Sequence, residues 1–373
     1  MPPVAERHRD AGVLRRRNPA IDIARGIAII AIVLGHVDRG LASAHLLDGT
    51  SATFGDWDRF LYLFHVAVFA FLAGVFVRSA AARQGRWRYL VSRDGLFLYL
   101  YVLWSFIEGL TKVATAKLVN TPTSLLGVLD LARPIGQLWF LPWLIVVTAL
   151  AVLVAPWRSR PRAAAALLGS AVVSLVFWGS DPAWAGLQGL GLWVFYFAGV
   201  ALGSEALMSA LVAIRLVPAV AITVAGSALY WLSVFTTDAT PPTAVDGRPV
   251  TVATVALGFF TSAVGLVVVL AVSHLLASTR ACDWLAFVGR HTLQIFLASI
   301  TFASGMRIIL SKAGVDSPGV HVALGTIAGV ALPLALWWLL DRIAFPWLFA
   351  LPGRRRTVGR SAGPVPPGSV VSG

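Results

Sequence analysis

Ten long apolar stretches constrain the fold of this chain more than any other feature of its sequence. The hydrocarbon core of a bilayer is about 30 Å thick, so a helix needs roughly 20 mostly apolar residues to cross it. The stretches lie near 20–38, 60–78, 94–114, 136–156, 163–180, 186–204, 211–233, 251–273, 286–309 and 320–341. They predict an all-α, polytopic integral membrane protein, a bundle of about ten transmembrane helices embedded in the lipid bilayer.

The composition supports the membrane class and limits the kinds of site. Hydrophobic residues make up 58% of the 373 residues and charged residues 13%, which is about half the charged share of a soluble protein. Cys282 is the only cysteine. A single cysteine excludes an internal disulfide, an iron–sulfur cluster and a thiolate zinc site, and no motif implies any other metal.

The charge distribution predicts an orientation. A formal net charge of +13 would suggest nucleic acid as the partner of a soluble protein. Here the Arg residues fall in short gaps between apolar stretches, as in a positive-inside membrane protein, so no nucleic-acid partner is expected. With ten spans and a cytoplasmic N-terminus, 21 of the 30 Lys and Arg residues lie on the cytoplasmic side and 8 on the other, with Arg25 inside the first span. This asymmetry predicts that both termini are cytoplasmic.

The chain divides into one membrane domain and two tails. Residues 1–17 are a polar, Arg-rich tail, predicted to be cytoplasmic, and the apolar stretch behind them has no small-residue cleavage site. We therefore expect that stretch to be a retained span and not a signal peptide. Residues 18–345 form the predicted transmembrane domain. Residues 346–373 are basic and rich in Gly, Pro, Ser and Val, a composition that predicts a disordered cytoplasmic tail.

The first predicted span carries three ionisable side chains, which are expensive in a bilayer and mark candidate functional sites. At 100° per residue, Arg25 and His36 lie about 20° apart around the helix and about 16 Å apart along it. Asp22 lies within roughly 60° of Arg25. This stripe favours a polar lumen. The structural alternative is an Asp22–Arg25 pair at the membrane interface, with His36 hydrogen-bonded at the far end of the span.

Other polar residues give weaker signals. His65 enters the second span to about the depth of the first-span histidine, although a packed, hydrogen-bonded histidine is the more common role. Glu108 and Lys112 have the i,i+4 spacing of a structural ion pair. Gln137 and Trp139 open the fourth span, where they can hydrogen-bond to and stack on a sugar. A place in the interfacial aromatic belt explains Trp139 equally well.

The segment 83–93 is dense in arginine and includes Arg88 and Arg93. Guanidinium groups bind phosphates bidentately, so such a segment can hold a phosphorylated ligand. Cytoplasmic loops of membrane proteins are basic in general, and composition alone favours that simpler explanation.

Four motifs, in order along roughly 20–300, resemble the acyltransferase 3 superfamily and, within it, the fucose 4-O-acetylase-like branch. The matching residues are Asp22-Ile-Ala-Arg25-Gly26 with Gly35-His36, Leu63-Phe64-His65 through to Gly74, Gln137-Leu138-Trp139-Phe140-Leu141, and Gly289-Arg290-His291-Thr292-Leu293. The first match reproduces the superfamily signature of Arg, ten residues, then His. The second is similar to Phe-His-x-Pro-x-Phe-Phe-x-x-Ser-Gly, the third to Leu-Trp-Phe-Leu, and the fourth to Gly-x-x-Ser-Leu-x-x-Tyr-Leu.

The resemblance implies an integral-membrane O-acyltransferase of the bacterial plasma membrane. Such an enzyme moves an acetyl or other acyl group from cytoplasmic acyl-CoA, acetyl-CoA by default, to a hydroxyl of an envelope glycan, glycolipid or exported carbohydrate. It implies catalytic roles for His36, Arg25 and Asp22. His36 is the general base on the acceptor hydroxyl or the carrier of a transient acyl group. Arg25, hydrogen-bonded by Asp22, orients the donor or stabilises negative charge.

The resemblance also assigns the substrate contacts. Arg88 and Arg93 are expected to bind the phosphates of acyl-CoA, which is a donor substrate and not a permanently bound cofactor. The acceptor is expected to contact His65, Gln137 and Trp139.

Two positions depart from the superfamily pattern, and two other functions fit the same bundle. Ala67 replaces the usual Pro, and Ser299 stands where many relatives have a His, which would alter the acceptor or weaken the activity. One alternative function is a transporter or flippase of an envelope precursor without covalent chemistry, which paired discontinuous spans in two matching halves would favour. The other is a superfamily member that has lost catalysis and serves as a membrane partner.

Overall fold

The computed structural model describes residues 18–243 and 250–352, and the regular secondary structure within these ranges is entirely helical. The α-helices are α1 Pro19–Ser43, α2 Ala52–Tyr62, α3 His65–Val75, α4 Val77–Gln84, α5 Arg86–Ala114, α6 Leu125–Leu129, α7 Phe140–Val154, α8 Arg160–Val176, α9 Trp193–Ala213, α10 Leu216–Thr236, α11 Val252–Leu276, α12 Asp283–Arg290, α13 Thr292–Lys312 and α14 Pro318–Arg342. The predicted all-α fold is confirmed.

The number of membrane crossings depends on α8. Nine helical segments of the described chain are long and apolar enough to cross a membrane. The 17 residues of α8 span only about 25 Å, and α8 packs chiefly against α9. Near its end, Ser174 donates to the Leu190 carbonyl and accepts from the Val194 N–H, beside the point where Gly189 packs on Trp139 at the start of α7. The predicted polytopic helical bundle is confirmed, with nine candidate spans in the described residues and α8 as a shorter additional helix.

The connections between helices gather at two opposite ends of the bundle. One end, which we call the Arg-rich end, carries Arg83 in the last turn of α4 and the connections that contain Arg158, Arg215 and Arg280. The other end, the loop end, carries the longer connections 44–51, 115–135 and 177–189, with the described parts of 237–251. The cytoplasmic location of the Arg-rich end, and with it of both termini, stays a prediction.

Helix α1 lies at the centre of the bundle. Asn18 caps its first turn by accepting from the Ala20 N–H at 2.9 Å, and Pro19 occupies the first helical position, where a missing N–H costs nothing. The helix packs against α3, α11, α12, α13 and α14. Because α1 is surrounded by protein, its ionisable side chains avoid lipid, which is how a span with three charged or titratable groups is compatible with a membrane.

Glycines allow two pairs of helices to touch backbone to backbone. A Cβ on Gly26 would overlap the backbone of α12, and a Cβ on Gly289 would overlap the carbonyl of Asp22 in α1. Helices α3 and α9 cross in the same manner at Gly74 and Gly199. Small residues at such crossings are how membrane helices approach closely, and three of these glycines belong to the motifs described above.

Four of the predicted spans are not continuous helices, which corrects the sequence analysis. The second is interrupted between Tyr62 and His65, and the ninth between Arg290 and Thr292. The fourth and the sixth open with 3₁₀ turns, at Gly136–Trp139 and Leu190–Leu192. Irregular backbone at membrane depth is tolerated where protein or a polar cavity satisfies its hydrogen bonds. The interruptions therefore indicate where an interior site lies.

The packed structure continues past the predicted domain boundary at 345. Pro346–Leu348 form a 3₁₀ turn, and the indole Nε1 of Trp104 donates to the Leu348 carbonyl at 2.8 Å. Phe349 is buried with its ring centroid 5.7 Å from that of Trp104. These contacts with α5 explain why the first residues of the predicted tail are packed. The remainder, 353–373, and the predicted tail 1–17 lie outside the described residues.

Candidate active site

A cavity of about 600 Å³ extends beside α1 from the Arg-rich half of the bundle to the loop end. From α1 it is lined by Arg25, Ile32, His36 and Arg39, whose spacings of seven, four and three residues place them on one face of a helix. Helices α3, α5, α7 and α13 supply most of the facing wall. The polar stripe predicted in the first span thus faces an interior cavity, and Arg25 and His36 border the same space.

His36 and His65 lie on facing walls of this cavity. His36 is partly buried, whereas His65 is 1% exposed and begins α3 directly after the helix interruption. The His65 ring packs edge-on against Tyr62, with centroids 4.6 Å apart. Gly35 lets α1 lie close to the Tyr62 ring, because a Cβ on Gly35 would lie 3.2 Å from that ring. The two histidines that the motifs single out are therefore brought together, with His65 the more tightly packed.

Two arginines border the half of the cavity that points to the Arg-rich end. The guanidinium carbon of Arg25 lies 4.8 Å from the centroid of Phe76, and that of Arg93 lies 4.8 Å from the centroid of Phe97. Stacking on aromatic faces holds a guanidinium in place, and the N–H edge of the group is the part that binds anions. Arg93 is therefore placed to meet an anionic ligand beside Arg25.

Two other residues predicted for the site do not line this cavity. Arg88 is exposed on the outside of α5. Asp22 is 3% exposed in the first turn of α1, with its backbone against Gly289. Asp22 therefore lies at the junction of α1 and α12, and any effect it has on the cavity acts through α1.

Gln137 and Glu108 form a buried hydrogen-bonded pair that the sequence analysis missed. The Gln137 Nε2 donates to Glu108 Oε1 at 2.6 Å, and the two side chains are 2% and 4% exposed. The predicted Glu108–Lys112 pair is not a direct salt bridge in the described residues, because the Lys112 ammonium reaches the Thr121 hydroxyl at 3.3 Å. The two opposite charges still interact electrostatically. The Gln137–Glu108 bond attaches the 3₁₀ turn that carries Trp139 to α5 and so positions this turn at the cavity.

Replacing Gln137 by Leu is expected to destabilise the protein by about 1–3 kcal/mol, because the buried Glu108 carboxyl loses its donor. Thermal unfolding of the purified protein in detergent measures the loss. Gln294→Leu is the matched control, since Gln294 lies on α13 and does not line the cavity. The double variant Glu108→Leu/Gln137→Leu should recover most of the stability. Equal melting temperatures for Gln137→Leu and Gln294→Leu would contradict the assignment.

At the loop end, the cavity is bordered by an aromatic ring and a hydrogen-bonded polar pair. Gly189, at a φ of 77° that favours glycine, packs against the Trp139 ring so closely that a Cβ would collide with it. Gln188 donates its Nε2 to the Asp181 carboxylate at 2.9 Å, and both residues line the cavity with Trp139. No sequence motif marks Asp181 or Gln188 as a functional residue.

The positive charge of Arg39 at the loop end is paired with a carboxylate. Arg39 donates two hydrogen bonds of 2.6 Å to the Asp58 carboxylate, and its guanidinium carbon lies 3.6 Å from the centroid of Tyr62. A bidentate pair of this kind is geometrically rigid. The loop end of the cavity is therefore lined mainly by neutral and charge-compensated polar groups.

The two departures from the superfamily pattern both fall outside the cavity wall. Ala67 is fully buried in α3 and Ser299 is 2% exposed in α13, and neither borders the cavity. Among residues 18–243 and 250–352, no group of three or more His, Cys, Asp or Glu side chains is arranged to hold a metal ion.

The geometry described above lies within one recognised family domain. Comparisons with curated proteins and with solved structures return no match. The model of a family described as an acyltransferase domain matches residues 18–338, a range that contains every residue of the cavity wall. This chain belongs to the acyltransferase 3 superfamily of membrane proteins and is an acyltransferase that transfers groups other than aminoacyl groups.

Proposed function

We propose that this protein transfers an acetyl or other acyl group from acyl-CoA, bound from the Arg-rich end, to a hydroxyl of a carbohydrate bound at the loop end. The observation that carries the proposal is the single cavity that borders Arg25 and Arg93, then His36 and His65, then Trp139. A donor that enters at one end and an acceptor that enters at the other can meet at the histidines. The superfamily membership supports the acyl-transfer chemistry, and the polar and aromatic groups at the loop end favour a sugar.

The half of the cavity that points to the Arg-rich end fits an acyl donor with a phosphorylated group and a long, thin arm. Arg93 and Arg25 bind the anionic part, since guanidinium groups bind phosphates bidentately. Arg88 lies outside the cavity and contacts only parts of the donor that extend into solvent. The pantetheine arm of acyl-CoA then follows α1 for the about 16 Å between Arg25 and His36. Because of this separation, Arg25 orients the donor, and the developing charge on the thioester lies beyond its reach.

The transfer itself needs one group that moves a proton. His36 takes the proton of the acceptor hydroxyl as the oxygen attacks the thioester carbonyl. The carbon–sulfur bond breaks, the acyl group stays on the acceptor oxygen as an ester, and the thiolate receives the proton from His36. His65 packs beside this position and shapes the place of the hydroxyl.

The loop end of the cavity fits a neutral sugar ring as the acceptor. Trp139 offers a face for stacking, and Asp181 and Gln188 offer acceptors and donors for hydroxyl groups, with Gln137 deeper in the same wall. We place the Arg-rich end in the cytoplasm, where acyl-CoA is made, and the protein in the bacterial plasma membrane. An envelope glycan, glycolipid or exported carbohydrate is then the acceptor, as in the fucose 4-O-acetylase-like branch.

The purified protein in detergent is expected to release CoA thiol from acetyl-CoA, and faster when methyl glycosides are added as acceptors. Thiol release is followed with a chromogenic disulfide, and acetylated product by mass spectrometry. Turnover of acetyl-CoA separates an enzyme from a transporter or a non-catalytic partner. If neither acetyl-CoA nor succinyl-CoA is turned over with any acceptor of the panel, the proposal of an acyl-CoA donor is wrong.

Arg93→Ala is expected to raise the KM for acetyl-CoA by about 10- to 100-fold, the loss of one charge-assisted hydrogen bond worth roughly 1.5–3 kcal/mol. Arg88→Ala is the matched control, since Arg88 is on the same helix but exposed, and its KM should change less than about threefold. Initial rates over a range of acetyl-CoA concentrations measure both. A larger effect for Arg88 than for Arg93 would place the donor outside the cavity.

A further inference from the structure

A second, much smaller cavity adjoins His36. Its volume is about 30 Å³, and it lies between α1, α13 and α14, lined among others by Gly40, Ser304, Arg307 and His321. His36 is the one residue shared by the walls of the two cavities. Its wall is mostly apolar but includes the side chains of His36, Ser304, Arg307 and His321. A space of this size has room for about one or two water molecules.

His321 is the unusual member of this wall. It is 1% exposed, and its Nε2 lies 2.7 Å from the carbonyl oxygen of Val315. A carbonyl can only accept, so Nε2 carries the proton and donates it. In the neutral imidazole, Nδ1 is then a bare acceptor, and this buried Nδ1 has no hydrogen-bond partner among the described residues. A buried acceptor without a partner is costly and indicates an ordered water or another donor beside it.

The imidazole of His36 also requires a second hydrogen-bonding contact. It makes no hydrogen bond to another residue of the described ranges, although a catalytic imidazole needs a second contact that fixes its orientation and tautomer. The small cavity brings the wall that contains His321 to the side of His36 that the large cavity does not occupy.

We propose that a water molecule in the small cavity bridges His36 and His321 and that this bridge sets the tautomer of His36. The water donates one hydrogen to Nδ1 of His321 and accepts the N–H of the His36 nitrogen on that side. The other nitrogen of His36 is then unprotonated towards the large cavity, which is the form that a general base requires. Ser304 and Arg307 supply the further polar contacts that hold such a water. His321 is thus a positioning residue, and this role rests on the proposed function of His36 as the base.

Two substitutions test the roles of the two ring nitrogens of His321 independently. In Asn the amide oxygen is one bond from Cγ, where Nδ1 stands, so His321→Asn keeps the acceptor for the water and loses the donation to Val315. In Gln the amide nitrogen reaches the place of Nε2, so His321→Gln keeps the donation to Val315 and loses the acceptor. A purely structural role for His321 predicts that Gln is the better replacement, whereas the water bridge predicts Asn.

We expect His321→Gln to lower kcat for acetyl-CoA turnover by about 10- to 100-fold, the usual effect of removing a residue that orients a catalytic ligand or base. Its KM for acetyl-CoA should be unchanged, and His321→Asn should retain kcat to within about threefold of wild type. Size-exclusion profiles and melting temperatures report folding of both variants. If kcat of His321→Gln equals or exceeds that of His321→Asn, the water bridge is refuted.

A second measurement does not depend on turnover. The imidazole ¹⁵N shifts of His36, identified by the signals lost in His36→Ala, report its tautomer in wild type and both variants. The proposal predicts one tautomer in wild type and His321→Asn and a mixture in His321→Gln. A mixture of His36 tautomers in wild type would overturn the proposal of a water bridge, even if acetyl-CoA is not the donor. Wild type that shows a single His36 tautomer but turns over no acyl-CoA would instead refute the proposed function alone.

Discussion

Replacing His36 by Ala is expected to lower acyl transfer by about 10²- to 10⁴-fold, the contribution of a general base, while the protein stays folded. The protein is expected to stay folded because His36 borders two cavities and makes no hydrogen bond to another described residue. Its removal therefore leaves no buried partner unsatisfied and enlarges existing space. CoA release from acetyl-CoA by wild type and variant measures the loss.

The matched control is His274→Ala, since His274 lies in α11 and borders neither cavity. Its activity should stay within about threefold of wild type. Because His36→Ala opens space beside a large cavity, added imidazole is expected to restore part of the rate. A variant with the wild-type rate, or a loss of activity that tracks a loss of folded protein, would refute the role of His36 as base.

Replacing Gly289 by Ala is expected to destabilise the bundle, although Ala favours a helix over Gly by about 1 kcal/mol. The added Cβ would overlap the carbonyl of Asp22 on α1, and a backbone atom in a packed helix crossing cannot move aside. Overpacking of this kind costs about 1–3 kcal/mol or more. We expect a lower melting temperature and a reduced yield of monodisperse protein.

Gly305→Ala is the control for this prediction. Gly305 lies in the neighbouring helix α13, and a Cβ there meets no atom within 4 Å. Only the helix propensity acts at this position, so Gly305→Ala should be neutral or slightly stabilising. The two substitutions are chemically identical and are expected to act with opposite sign. If Gly289→Ala is as stable as Gly305→Ala, α1 and α12 do not approach as described.

The part of the site that sequence predicted best lies on a single straight helix. Arg25 and His36 were placed on one face from the 3.6-residue period alone, and both border the same cavity. Arithmetic of this kind succeeds because α1 is continuous over 25 residues. The same arithmetic cannot be applied to His65 and Gln137, although both border the cavity. Their spans are interrupted or begin with a 3₁₀ turn, and an interrupted helix no longer has one fixed angle per residue.

The residues that sequence missed depend on contacts between distant segments. Glu108 meets Gln137 across two helices, and its nearest ionisable neighbour in sequence, Lys112, suggested a local pair instead. Asp181 and Gln188 reach the cavity from a connection that has no periodic pattern. The family resemblance predicts phosphate contacts for both Arg88 and Arg93, yet five residues along one helix separate an exposed side chain from one that borders the cavity.

The crossing of α1 and α12 also decides the order in which this protein is assembled. Gly289 is synthesised more than two hundred residues after Gly26, which at about 5–20 residues per second is a delay of roughly 15–50 s. During that time α1 is in or near the translocon with Asp22 not yet covered by α12, at a cost of a few kcal/mol where its charge meets lipid. Docking of the C-terminal helices is therefore the step that completes the packing around α1. A chain truncated before α12 cannot form this crossing, and its partly uncovered α1 makes it a target for membrane quality control.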